Sequence, residues 1–390
     1  MLYQKLKSLI CLSVFVFLLS SCAKQSVNVQ ATNQPGTTNK TAQQIYQILP
    51  TYAQLAKQPW PAIQPTQLPL KLGNHNVAVS QIRERLILLG DMKNEPTENS
   101  KEFDHALQYG VMQFQWRHGL KSNGIVNQAT LNALNITPAE RYKELVTSMN
   151  EWGKLPEDEG ARYIHINIPD YKLHLIDRGN EVLSMNVIAG RSTRPTPILY
   201  SKVQTVVFNP QWNVPKTILK EDIIPGMQKN PNYLKEHGGL KIYKNWDKDS
   251  PEVDPLTINW QAATPSNFTY RLTAPPGDEN PLGRVKFIFE NSDDVYMHDT
   301  PQKALFSDMK RAYSSGCIRL EHPLQLVEYF YSDNKDLNAE LTNQYLSTTQ
   351  TKYIQLKNPM PIYVTYITAF VDAQGHAHFR EDVYRRNNGA

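Results

Sequence analysis

The chain of 390 residues is poor in three things, and each scarcity closes a route. It has three cysteines; Cys11 and Cys22 fall within and at the end of an apolar N-terminal stretch, so Cys317 is the one thiol of the remainder. A lone cysteine closes no intramolecular disulfide. Charge of one sign is scarce as well, since 41 Lys and Arg stand against 37 Asp and Glu. That near balance argues against a nucleic-acid partner, which requires clustered positive charge. Long apolar runs are also missing: residues 9–19 span about half of the ~20 residues that a membrane-crossing helix needs.

What the N-terminus does contain is Lys5 and Lys7 ahead of that run and Ser20 and Ser21 after it, the layout of a secretory signal over residues 1–21. Its removal leaves a formal charge of +2. Leu19-Ser20-Ser21-Cys22 resembles a bacterial lipobox, which implies acyl chains on Cys22 and, with two or more of them, firm membrane attachment. Ala23, with no Asp at that position, resembles lipoproteins sorted to an outer membrane. An exported, periplasmic, lipid-anchored protein is the expectation.

A chain of this length is expected to form two folded domains. Residues 22–73 are rich in Gln, Thr, Asn and Pro, with Pro35, Pro50, Pro59, Pro61, Pro65 and Pro69 spread along them, and read as an extended tether. Mild helical spacing at 45–55 allows that stretch to dock on the body. In residues 74–136, Val79, Ile82, Leu86 and Leu89 mark a one-sided helix stopped by Gly90, Ala106 to Phe114 a second, and Ala129 to Leu134 a third. Residues 137–160 form a linking helix. From 161 onward the period switches to alternation, with strands expected at 163–168, 171–176, 182–189, 203–208, 285–289, 294–297 and 361–371. His165 and His174 read as surface-facing strand residues. A Pro- and aromatic-rich stretch at about 226–268 is too long for a turn and reads as an inserted capping subdomain.

Cys317 lies in Ser314-Ser315-Gly316-Cys317-Ile318-Arg319, nineteen positions after His298 in Tyr296-Met297-His298-Asp299. A thiol is mostly protonated at neutral pH, so it needs a base to act as nucleophile, and His298 is the candidate. Alternation puts Tyr296 on the same side as His298, with Met297 facing the core. Gly316 permits a strained turn, and the amides near it and Cys317 are candidates for an oxyanion hole, assisted by the Ser314 and Ser315 hydroxyls. Arg319 either binds a substrate carboxylate or makes a structural salt bridge. Thr300-Pro301 reads as the start of a short helix.

These segments, with 208–215 and 282–287, resemble the larger, capped branch of the L,D-transpeptidases with a YkuD-type domain, while Phe114-Gln115-Trp116-Arg117-His118-Gly119-Leu120 resembles the type 1 peptidoglycan-binding domain. Many relatives have histidine where this chain has Ser315. The resemblance implies an α+β protein: a small three-helix peptidoglycan-binding domain, then a mainly β L,D-transpeptidase catalytic domain with an inserted capping subdomain. It implies that Cys317 attacks the bond between the third residue, a diamino acid, and the D-alanine of a stem peptide, and that an amine resolves the thioester into a 3→3 cross-link. No metal or organic cofactor is expected. Trp212, Tyr296 and Arg319 are the expected substrate contacts, peptidoglycan stem peptides and glycan the partners, and carbapenems the inhibitors that acylate Cys317. Water, a D-amino acid or a lipoprotein are alternative acceptors, and a wall-binding lipoprotein with an inactive catalytic domain is the alternative outside enzymes.

Overall fold

Helix α1 (Lys40–Leu55) is capped by Asn39, whose side chain accepts from the Ala42 amide, and buries Ala42, Ile45, Leu49, Tyr52 and Leu55 along one stripe. The computed structural model describes residues 39–94, 101–155, 162–236, 239–247 and 249–386; the expected signal peptide and Cys22 lie outside them. Pro50 sits inside α1 and costs roughly 3 kcal/mol, but burying Ile45 and Leu49 contributes about 1.5–3 kcal/mol each, so packing wins. The extended tether is therefore not what the described part of that segment forms. Beyond the helix, Ile63 and Leu70 are buried in the next unit and Trp60 stacks against the Arg85 guanidinium, 4.6 Å from its ring centroid. Prolines hold this stretch extended without keeping it off the body.

That next unit contains α2 (Val77–Leu88), α3 (His105–Arg117) and α4 (Gln128–Asn135), with side-chain caps from Asn76, Asp104 and Asn127. Val79, Ile82, Leu86, Leu107, Val111, Phe114, Leu131 and Leu134 form its core. Gln115 is buried and ties the following turn: its amide donates to Ile125 O at 2.8 Å and its oxygen accepts from the Asn123 and Gly124 amides, each at 2.9 Å. Helix α5 (Pro138–Trp152) begins with Pro138 behind a Thr137/Glu140 capping box.

The strands that follow are β1 (Tyr163–Asn167), β2 (Lys172–Asp177), β3 (Asn180–Gly190), β4 (Leu199–Phe208), β5 (Trp212–Asn213), β6 (Lys241–Tyr243), β7 (Glu252–Val253), β8 (Arg271–Ala274), β9 (Val285–Phe289), β10 (Met297–His298), β11 (Ala312–Ser314), β12 (Ile318–Leu320), β13 (Lys352–Thr365), β14 (Ala369–Val371) and β15 (Ala377–Phe379). Nine of them form one sheet in the order β11-β3-β12-β10-β9-β4-β13-β1-β2, and a further β2–β3 pairing closes it into a barrel-like wrap. Ile164, Leu173, Val187, Val206, Phe287, Met297, Ile318 and Ile362 fill the inside. Between the neighbours β4 and β9 the chain makes a second sheet, β5-β8-β6-β7, whose core includes Leu219, Ile224, Met227, Ile242, Trp260 and Leu272. The cap thus has a core of its own, and its elements run from Trp212 to Ala274, wider than the Pro-rich stretch alone.

His165 does not face solvent. Trp152 of α5 covers it edge-on at 5.1 Å, and the ring bonds Thr365 Oγ1 at 2.9 Å. His174, expected likewise at the surface, is half-covered and bonded to Glu181 at 2.5 Å.

The three-helix unit is fastened to the β domain. Helices α1 and α5 share an apolar cluster with β14 and β15. Arg117 grips Asp91 through two bonds of 2.7 and 2.5 Å and donates to the Ala377 carbonyl on β15. His118 stacks on Phe114 at 3.8 Å and on Phe379 at 5.4 Å, while Arg380 donates to the Arg117 carbonyl at 3.0 Å. The Phe-Gln-Trp-Arg-His motif is spent largely on this joint.

Candidate active site

Register places the chemistry. Strands β10 and β12 run parallel with Met297 opposite Ile318 and His298 opposite Arg319. Met297 and Ile318 are fully buried in the core, so alternation turns Tyr296, His298, Cys317 and Arg319 to the opposite face. On the other side of β10, Lys286 of β9 pairs with His298. One row across the sheet therefore reads Val207, Lys286, His298, Arg319, Ile188.

His298 Nδ1–H donates to the Asp299 carbonyl, which leaves Nε2 unprotonated as the proton acceptor. Asp299 is itself held: its carboxylate accepts from the Arg284 amide at 2.9 Å and from Lys303 Nζ at 2.7 Å. Gly283, at φ +59°, allows this approach, because a Cβ there would lie 2.3 Å from Asp299 Oδ2.

The turn before Cys317 is equally tied down. Gly316 has φ +113°, a conformation that favours glycine, and its carbonyl accepts from Thr196 Oγ1 at 2.8 Å. Ser314 Oγ donates to the Cys317 carbonyl at 2.5 Å and accepts from the Gly316 amide at 3.2 Å. Ser315 Oγ accepts from Arg194 at 3.0 Å. The Gly316 amide and both hydroxyls are thus engaged within the protein, and the Cys317 amide, with no hydrogen-bond partner among the described residues, is the backbone donor left for an oxyanion. Arg194 extends the network to the cap, reaching Asp222 at 2.6 Å and Glu221 at 2.5 Å.

The thiol lies beside Tyr296, whose backbone and phenol both act on its proton affinity, and the phenol in turn is influenced by the Trp212 side chain of the cap. Burial pushes the Cys317 thiol up, partly opposed by Tyr296, Lys286 and Arg319, and pushes the Tyr296 phenol well above its ordinary range. His298 is pushed down to about 3 by burial and by the Arg319, Lys286 and Lys303 charges, against its bond to Asp299. The imidazole is therefore neutral, and able to accept a proton, throughout the neutral range. The expected Thr300 helix start is instead a turn in which Thr300 Oγ1 accepts from the Gln302 amide at 3.2 Å, followed by a 3-10 helix at Lys303–Ser307.

A pH prediction follows from the buried imidazoles. His165 is likewise pushed down to about 3 by burial. Between pH 6.5 and 3 the unfolded chain takes up protons at both positions and the folded chain does not. Stability should therefore fall as pH falls through that window, by up to about 1.4 kcal/mol per pH unit for each. Urea midpoints measured from pH 7 to pH 4 should decline; a flat profile would sink the assignment of neutral imidazoles.

The structure thus brings Tyr296, His298, Cys317, Arg319 and Trp212 together, and turns Ser314 and Ser315 into the supporting loop. Lys286 was missed, although Val285, Phe287 and Phe289 alternate inward and leave it on the His298 face. Among the described residues no group of three or more His, Cys, Asp or Glu side chains is placed to hold a metal ion.

Residues 161–336 match the family profile of the L,D-transpeptidase catalytic domain, and residues 75–134 match that of the "Putative peptidoglycan binding domain". A Haemophilus influenzae protein named "Putative L,D-transpeptidase" is 36% identical over 221 residues, 57% of this chain and 44% of that protein, so the match spans less than half of the relative's length. Two solved structures are similar at low level. An L,D-transpeptidase from Stackebrandtia nassauensis is 12% identical over 77% of this chain and 97% of its own, with a TM-score of 0.28. L,D-transpeptidase 3 from Mycobacterium tuberculosis is 14% identical over 53% and 60%, with a TM-score of 0.25. Two segments of the chain thus match known domains: residues 161–336 the L,D-transpeptidase catalytic domain and, ahead of them, residues 75–134 a putative peptidoglycan binding domain.

Proposed function

We propose that this protein is a peptidoglycan L,D-transpeptidase that forms 3→3 cross-links between stem peptides. The observation that supports it best is the parallel β10–β12 register, which sets Cys317 and a neutral, tautomer-fixed His298 on one face beneath the cap. Cys317 Sγ attacks the carbonyl of the third residue while its proton passes to His298 Nε2. The tetrahedral oxyanion faces the Cys317 amide, the amide bond to D-alanine breaks, and His298 returns the proton to the departing amine. An amine from a second stem then attacks the thioester, gives its proton to His298 and releases the thiol. Export, with a lipid anchor at Cys22, belongs to the same proposal and rests on the Leu19-Ser20-Ser21-Cys22 run.

Incubation with disaccharide-tetrapeptide and mass analysis of the products tests the reading. Dimers lacking one D-alanine are expected. Tripeptide monomers alone would mean that water is the acceptor, and unchanged substrate would refute transpeptidation of these stems.

A further inference from the structure

We infer that Lys286 is a specificity-determining residue of this site, pairing with Arg319 across His298 to receive a carboxylate carried by the acyl donor; the inference rests on the transpeptidase reading and names the substrate chemistry that the face selects. Three observations carry it. First, Lys286, His298 and Arg319 lie in register on three adjacent strands, so two cations flank the base, about 10 Å apart at the backbone from strand spacing. Second, neither cation has a counter-ion. The Lys286 ammonium makes no salt bridge or hydrogen bond among the described residues; it lies 3.5 Å from the Tyr296 ring centroid, and Cys317, neutral as the thiol, and then Asp294 act on it from a distance. Arg319 donates from Nη1 to the neutral Gln302 amide oxygen at 2.7 Å, while its Nε is buried without a partner. Third, the row is bracketed by the buried apolar side chains Val207 and Ile188, which keep the local dielectric low.

Elsewhere the protein neutralises comparable groups. Arg194 takes two carboxylates and Arg117 takes Asp91 with two bonds. Two half-buried, uncompensated cations in one row cost free energy that an incoming anion would relieve. A stem tetrapeptide offers such anions: the α-carboxylate of the departing residue and, where it is not amidated, the side-chain carboxylate of the diamino acid. Either lies within a residue of the scissile carbonyl. Lys286 acts here on the donor, whereas Cys317 and His298 carry the bond-making steps.

The test reads protection of Cys317 from iodoacetamide, a small neutral reagent, by a tetrapeptide donor with free carboxylates and by the same peptide fully amidated. Wild type, Lys286→Gln and Lys286→Arg are compared, with mass spectra separating the alkylated thiol from a thioester. The free-acid peptide is expected to need a roughly 10- to 100-fold higher concentration for half-protection of Lys286→Gln, with Lys286→Arg near wild type and the amidated peptide equally weak on wild type and Lys286→Gln. Singly amidated peptides then identify which carboxylate is read. Equal protection of wild type and Lys286→Gln by the acid peptide, an equal loss for both peptides, or no protection of wild type would overturn the inference. Protection without thioester or dimer would leave Lys286 standing and refute the transpeptidase reading instead.

Discussion

Cys317→Ala should abolish cross-linking and leave no covalent adduct with a carbapenem, while the folded protein survives. Cys317 is the one thiol among the described residues, and the proposed route makes and then breaks a bond between its sulfur and the acyl carbon of the donor. No neighbouring group can replace a lost nucleophile: Tyr296 holds a strongly protonated phenol, and the Ser314 and Ser315 hydroxyls are engaged elsewhere. A loss of about a thousandfold or more is the expected size. Folding should be spared because Ile318 and Leu320, not Cys317, carry the core at this point of the chain. The melting temperature should stay within about 2 °C. A carbapenem-sized mass increase on the variant, or cross-linked product from it, would remove Cys317 from the chemistry; collapse of the fold would make it a structural cysteine.

Asp91→Ala should be the most damaging substitution far from the site. Arg117 and Asp91 are both buried, and Tyr52, Arg141 and Arg380 stand around the pair. Taking away the carboxylate strands a guanidinium among other cations, a change that costs about 3–5 kcal/mol when a buried pair loses one member. The melting temperature should drop by on the order of 10 °C. Arg117→Met in the same background removes the stranded charge and should recover part of the loss. Equal stability of Asp91→Ala and wild type would mean that Arg117 needs no counter-ion to hold its place at the joint.

Much of this architecture was legible because period and packing agreed. The 3.6-residue spacing of Val79, Ile82 and Leu86 and the alternation of Val285, Phe287 and Phe289 each had one plausible core face, and the structure buries those faces. Helix α1 was less legible. Its Gln, Thr and Pro content matches a spacer, and its packing partners lie about a hundred residues away on α5 and more than three hundred away on β14 and β15. His165 was misread for the same reason, because the cover over it comes from Trp152 on a helix rather than from its own strand. In the site, the motif around Cys317 and His298 pointed to the proposed reacting pair through a family resemblance, but which hydroxyls face a substrate depends on hydrogen bonds that sequence spacing does not encode. Lys286 illustrates a different gap. Its orientation followed from alternation, whereas the want of a counter-ion became visible only once every neighbouring carboxylate had a position.

The Arg117 joint gives the module an unexpected mechanical meaning. A wall-binding domain on a slack leash raises the local concentration of every stem within its radius, and the geometry of any one encounter is left to diffusion. Here His118 is stacked between Phe114 of its own unit and Phe379 of the other part, and Arg117, held by the buried Asp91 of its own unit, donates to the Ala377 carbonyl across the joint, so the domain behaves less like a leash than like the fixed jaw of a calliper. Under the proposed function, the place where that jaw meets a glycan strand would set how far along the wall the thiol works, and spacing, more than abundance, would choose the stem.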